Sequence, residues 1–233
     1  MNMSLNSTKL LSSALLGSVL GFCAAMVSAQ GLDADPSAAK IDNSIRLELE
    51  ARIAEIKTDE RVHALAREEG RARTVLCKTC HGEDGKSVKE GVPNLAAQNP
   101  AYIVDQFSRF ADGRRNDFMM SNLAKTFDRE DVVKIALYFS DLPGQVFGGG
   151  RKELIPEGEK LFQERCSRCH GEDGRGHEGY ARLAGQRPDY VVKMLKEFKN
   201  QTGRRINPWM TGVAVGLDNQ QIEAIAAYVA NMN

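Results

Sequence analysis

The sequence predicts an all-α protein built as two tandem, homologous lobes behind a helical extension. Three observations carry that prediction. Apolar residues recur at three-and-four spacing, and no convincing alternating strand run appears. A five-residue Cys/His motif occurs twice, 89 residues apart, beginning at Cys77 and at Cys166. Similarity between the two copies extends well past the motif, which marks an internal repeat.

Taken in chain order, residues 1–29 carry one charge, Lys9, followed by an apolar and small-residue run that ends in Val27-Ser28-Ala29. This is the pattern of a cleaved export signal, so a periplasmic location is expected. An uncleaved membrane anchor is the lesser alternative, because the run is just long enough to span a bilayer. Residues 30–70 form a charged extension with six basic against ten acidic residues. Its Ile41, Ile45, Leu49, Ile53 and Ile56 share one helical stripe, which predicts a long helix over 38–70 that docks on a lobe or binds a partner.

Lobe one is expected over 71–143, with a helix over Arg71–Cys80, and lobe two over 157–233, with a helix over Glu157–Cys169. The connection, 144–156, is rich in Gly and Pro. Pro100 and Pro188 mark helix starts, where a missing N–H costs nothing. Asp128 and Asp218 are N-cap residues for the last helix of each lobe. The whole chain holds 31 basic and 31 acidic residues. That balance removes the strongest argument for nucleic-acid binding.

The two motifs read Cys77-Lys78-Thr79-Cys80-His81 and Cys166-Ser167-Arg168-Cys169-His170. Each is C-x-x-C-H, the attachment signature of c-type haem. Two thiols three positions apart can add across the vinyl groups of one haem, and the adjoining histidine then reaches the iron. Pooling the four thiols on one zinc would leave both histidines without a role. Disulfide exchange would need a βαβ context that is absent. Two covalently bound haem c groups are therefore expected, held by Cys77, Cys80, Cys166 and Cys169, with His81 and His170 on the irons.

A second axial ligand is still required, commonly Met in electron-transfer cytochromes. Past Gly113-Arg114-Arg115 and Gly203-Arg204-Arg205 the copies run at an offset of 90, which lays Met210 on Met120. Met120 and Met210 are the expected distal ligands, with Met119 the local alternative. Met194 and Met232 have no counterpart and read as packing residues. His63 and His177 likewise lack a counterpart and read as solvent-exposed or supporting side chains.

Together these segments resemble dihaem cytochrome c4: the two C-x-x-C-H-G-x-D-G runs, Leu95-Ala96-Ala97-Gln98 with Leu183-Ala184-Gly185-Gln186, and the Gly-Arg-Arg stretch before a Met. The resemblance covers about residues 71–233. It implies two class I cytochrome c folds facing each other across a pseudo-twofold axis, with axial pairs His81/Met120 and His170/Met210. It also implies single-electron carriage between redox protein partners in the periplasm, for example towards a terminal oxidase. The extension adds weight to an alternative, the electron-accepting subunit of a sulfide- or thiosulfate-oxidising dehydrogenase. No acid–base or nucleophile constellation appears outside the motifs, so catalysis, including dihaem peroxidase activity, is not expected.

Overall fold

The computed structural model describes residues 36–177, 179–202 and 204–233, with side chains from residue 46 onward. The expected leader (1–29), residues 30–35 and the side chains of Ile41 and Ile45 lie outside the described set. The described residues are helical, and their one β feature is an isolated antiparallel bridge between Arg115 and Arg205.

The extension is not one helix. Helix α1 (Pro36–Ile56) ends, and Asp59 caps a new helix α2 (Glu60–Arg73) by accepting from the N–H groups of Arg61 and Val62. Nor do residues 71–80 form one helix: α2 stops at Arg73, and α3 (Val75–His81) carries the first motif. Thr74, fully buried, sits at the break and returns its hydroxyl to the Arg71 carbonyl at 2.8 Å. The expected lobe boundary at 71 thus falls inside α2.

Lobe one continues through α4 (Pro100–Ala111), α5 (Phe118–Leu123) and α6 (Arg129–Asp141). Lobe two repeats the series as α7 (Ile155–Arg165), α8 (Ser167–His170), α9 (Pro188–Lys199), α10 (Pro208–Val215) and α11 (Asn219–Asn231). The expected helix over 157–169 is also broken, but at Cys166 itself and not three residues ahead of the first cysteine as in lobe one. Asp128 and Asp218 cap α6 and α11 as expected, each accepting from the third N–H of its helix at 2.8 Å.

In each lobe the first and last helices cross at a glycine. A Cβ on Gly70 of α2 would overlap the Lys134 carbonyl of α6, and one on Gly158 of α7 would overlap the Ala224 carbonyl of α11. The backbones approach that closely because glycine has no side chain. This equivalence makes α2 the counterpart of α7, not part of a free extension.

Helix α1 docks on lobe one. Leu49, Ile53 and Ile56 join the buried cluster that includes Val104, Phe107, Val133 and Leu137. Two ion pairs, Arg52–Glu130 and Arg129–Glu48, both 3.2 Å, hold its rim. Lobe two lacks the matching apolar face: at an offset of 90, Val133 becomes Glu223, and the linker's Gly150 lies against Ala227.

Candidate haem sites

The two sites are built alike. In lobe one, α3 brings Cys77, Cys80 and His81 onto one turn, with Cys77 and His81 buried. In lobe two, Cys166 caps α8, and Cys169 and His170 follow within four residues. All four cysteines are free thiols. Burial pushes the Cys77 thiol up and the Cys166 thiol up to about 12, so both are protonated at neutral pH.

Each histidine is oriented by its chain. The His81 Nδ1–H donates to the Pro93 carbonyl, and the His170 Nδ1–H to the Ala181 carbonyl, both at 2.9 Å. A carbonyl only accepts, so the proton is on Nδ1 and Nε2 carries the free lone pair. Burial is the main cause that lowers both imidazole pKa values, and Arg115 beside His81 and Arg205 beside His170 lower them further. Neutral imidazole with a fixed tautomer is the form that binds iron. The accepting loops are held in register by Gly85 and Gly174, whose positive φ lets their carbonyls take the N–H groups of Leu95 and Leu183 at 2.8 and 2.7 Å.

The methionines also fall into matching places. Met120 N–H donates to Asp117 Oδ1 and Met210 N–H to Asn207 Oδ1, each at 3.1 Å. Asp117 and Asn207 therefore serve as the same N-cap, although the sequences around them differ. Met120 and Met210 are half-buried and pack on the lobe cores, whereas Met119 is 63% exposed. Two soft thioethers, two neutral imidazoles and four free thiols form a donor set that fits two covalently held haems.

Two other residues do more than expected and a third stands as expected. His63 is enclosed, not solvent-facing: its Nε2 is 2.8 Å from Asp141 Oδ2, because α2 lies against α6. Met194 is more than packing, since its Sδ accepts from Arg205 at 3.1 Å. His177 is exposed, as expected, beside Tyr180.

The lobes join through residues that the repeat exposed without explaining. Gln98 binds the Arg182 backbone, and Gln186 binds the Asn94 backbone. Around the Arg115–Arg205 bridge, Asn116 N–H donates to the Arg204 carbonyl at 2.7 Å and Ile206 N–H to the Arg114 carbonyl at 3.2 Å. The signal was present in the repeated Gln, Pro-x-Tyr and Gly-Arg-Arg segments; what it lacked was any indication that they bond across lobes.

Comparison with known proteins accords with this arrangement. The family model described as Cytochrome c matches residues 155–233. Cytochrome c4 of Pseudomonas aeruginosa is 32% identical over 178 residues, which cover 70% of this chain and 87% of that protein. A thiosulfate dehydrogenase electron acceptor of Thiomonas intermedia is 32% identical over 172 residues, covering 66% of this chain and 77% of that protein. The crystal structure of reduced recombinant cytochrome c4 from Pseudomonas stutzeri superposes with a TM-score of 0.65 at 31% identity, covering 71% of this chain and 98% of that one. Two like sites in two like lobes, and this degree of similarity over most of the relatives' length, show that the chain belongs to the cytochrome c4 family, the dihaem c-type cytochromes that carry electrons.

Proposed function

We propose that the protein carries single electrons in the periplasm between a reduced donor and a membrane oxidase. Cys77 and Cys80 anchor one haem and Cys166 and Cys169 the other. His81 with Met120, and His170 with Met210, would ligate the two irons. Haem c supplies an iron that cycles between ferric and ferrous, gaining or losing one electron. The chain's work is to hold the ligands, keep water away and set the potential. Pro93 and Ala181 fix the histidine tautomers, and Asp117 and Asn207 fix the turns that present the methionines. A histidine and a methionine available to each iron would leave no open site, which argues for carriage and against a peroxidase.

The observation that carries this reading is the repetition of one donor geometry, Nδ1 on a backbone carbonyl at 2.9 Å, in both lobes. We also assign residues 60–143 to lobe one, with α2 as its first helix, and residues 1–29 to a cleaved export leader. Mass spectrometry of the periplasmic protein tests the anchors. The native chain is expected to begin after Ala29 and carry the mass of two haems, and Cys77→Ala/Cys80→Ala to carry one. A single haem on the native chain contradicts the reading.

A second reading makes the protein the electron acceptor of a periplasmic dehydrogenase. Similarity to the thiosulfate dehydrogenase electron acceptor of Thiomonas intermedia favours it. Rapid reduction by a purified thiosulfate dehydrogenase and a stable one-to-one complex would establish this role over that of a free carrier.

A further inference from the structure

Helix α10 carries Met210 on one side and an apolar face on the other. From Ile206 to Leu217 the chain holds no charged residue. Met210, Ala214 and Leu217 turn inward and pack on the core of lobe two. Pro208, Trp209, Gly212, Val215 and Gly216, at the spacing of one helical face, all turn outward. Trp209 is 87% exposed, Ile206 56% and Val215 53%, and a Cβ on Gly212 would meet nothing. Trp209 is also the chain's single tryptophan.

Three cations flank this face. Arg204 is exposed, four residues ahead of α10. At the other end Arg165 Nη1 donates to the Gly216 carbonyl at 3.2 Å, and Lys199 Nζ donates to the Leu217 carbonyl. None of the three takes part in an ion pair among the described residues. The neighbouring acids are otherwise engaged: Asp218 caps α11 at 2.8 Å, and Glu164 lies 4.0 Å from Lys160. Lobe one has no such platform. At an offset of 90, Val215 becomes Lys125 and Gly212 becomes Asn122. At offsets of 89 and 88, Arg165 becomes Leu76 and Lys199 becomes Ala111.

We propose that this face of lobe two rests on the surface of an anionic phospholipid bilayer. A tryptophan that projects from an uncharged helical face suits the boundary between headgroups and acyl chains. Arg165, Lys199 and Arg204 meet lipid phosphates at the two ends of the face, and each adds to the attraction. Trp209 stands almost free of the fold, with open space at Gly212 one turn on. It can therefore enter a fluid phase without a shaped cavity to receive it. Because Met210 adjoins Trp209, the contact brings the methionine side of lobe two, and not lobe one, to the membrane. The inference rests on the proposed delivery of electrons to a membrane oxidase only for its use, since lipid contact itself needs no electron.

Co-sedimentation of the holoprotein with vesicles, read by haem absorbance, is the test. Vesicles of phosphatidylethanolamine with phosphatidylglycerol are expected to carry the protein down, and vesicles of phosphatidylcholine alone to leave it in solution. Salt should release it, because exposed charges are screened. Trp209→Ser is expected to weaken binding about tenfold, the scale of one large apolar side chain. Arg204→Gln is expected to weaken it about fivefold, the scale of one cation near an anionic surface. Should Trp209→Ser lose its Met-to-iron band, Ile206→Ser/Val215→Ser removes apolar area away from the ligand and is expected to weaken binding as much. Phe118→Ser, at an exposed position of lobe one, is expected to bind as the native protein does. Binding that is equal on both lipids, absent from both, or unchanged in Trp209→Ser and the double variant overturns the proposal. If vesicles do not bind, yet Trp209→Ser slows electron transfer to a detergent-solubilised oxidase, the face belongs to a protein contact instead. Vesicle binding without electron delivery to the membrane oxidase would sink that destination and leave the lipid contact standing.

Discussion

Gln98 of lobe one grips the backbone of Arg182 in lobe two from both sides. Its Oε1 accepts from the Arg182 N–H at 2.6 Å, and its Nε2 donates to the Arg182 carbonyl at 3.0 Å. Gln186 repeats the grip in the other direction on Asn94, at 2.7 and 3.1 Å. Gln186 follows Gln98, and Arg182 follows Asn94, by the same 88 residues, so the joint has the pseudo-twofold symmetry that a duplicated chain can form with itself.

Both glutamines are buried, and truncating either leaves a backbone N–H and a carbonyl without partners between the lobes. Each unsatisfied group costs about 1–3 kcal/mol. Gln98→Ala and Gln186→Ala are each expected to lower the unfolding free energy by about 2 kcal/mol while both haems stay attached. Urea unfolding followed in the haem band checks this, and an unchanged midpoint would show that the clasps are dispensable.

Gly70 and Gly158 let the terminal helices of each lobe touch backbone to backbone. Gly70→Ala and Gly158→Ala force those helices apart, and overpacking of this kind costs about 1–3 kcal/mol. Gly212, which has open space around it, is the control. Thermal unfolding of Gly212→Ala should match the native protein, and that of the other two should fall below it.

Helix α1 is held by Leu49, Ile53 and Ile56, of which Ile56 is the most buried at 1% exposed. Ile56→Ala is expected to cost about 2–4 kcal/mol. Leu47→Ala, at an exposed position, is expected to stay within about 0.5 kcal/mol of the native protein. Protease digestion is the readout: cleavage within α1 should accelerate in Ile56→Ala alone.

Acid should destabilise the protein through His81 and His170. Burial lowers both pKa values in the folded chain, so the unfolded chain binds more protons once the pH falls below about 6.5. The stability these neutral imidazoles contribute is complete above that value and is lost as the pH drops through it. Iron ligation acts in the same sense. Denaturant midpoints measured from pH 8 to pH 5 should decline on the acid side, and a midpoint that rises there would refute the sign.

Much of this architecture was legible in the sequence. The two C-x-x-C-H motifs mark two like turns, and the offset of 90 favours Met120, which packs on the core, over Met119, which is exposed. The caps Asp128 and Asp218 were readable because capping is local chemistry. Helix α2 was not. Its sequence, ERVHALAREEGRAR, buries only Ala66 and Gly70, so it shows almost no apolar face and reads as part of a charged extension. Gly70, aligned with Gly158 at an offset of 88, was the available clue. The break at 57–59 leaves little trace, because Asp59, the cap of α2, is one more acid in a charged stretch. Gln98, Gln186, Arg115 and Arg205 stood out as repeats, but bonds across 84 to 99 residues of sequence leave no local trace.

The central claim, two haems each held by one histidine and one methionine, is tested most directly by the ferric charge-transfer spectrum of the native protein beside Met120→Ala, Met119→Ala and Met210→Ala. The expected result is a Met-to-iron band of full intensity in the native protein and in Met119→Ala, and half that intensity in each of the other two. A high-spin haem in the native protein, or a band that keeps full intensity in Met120→Ala and falls to half in Met119→Ala, would contradict it.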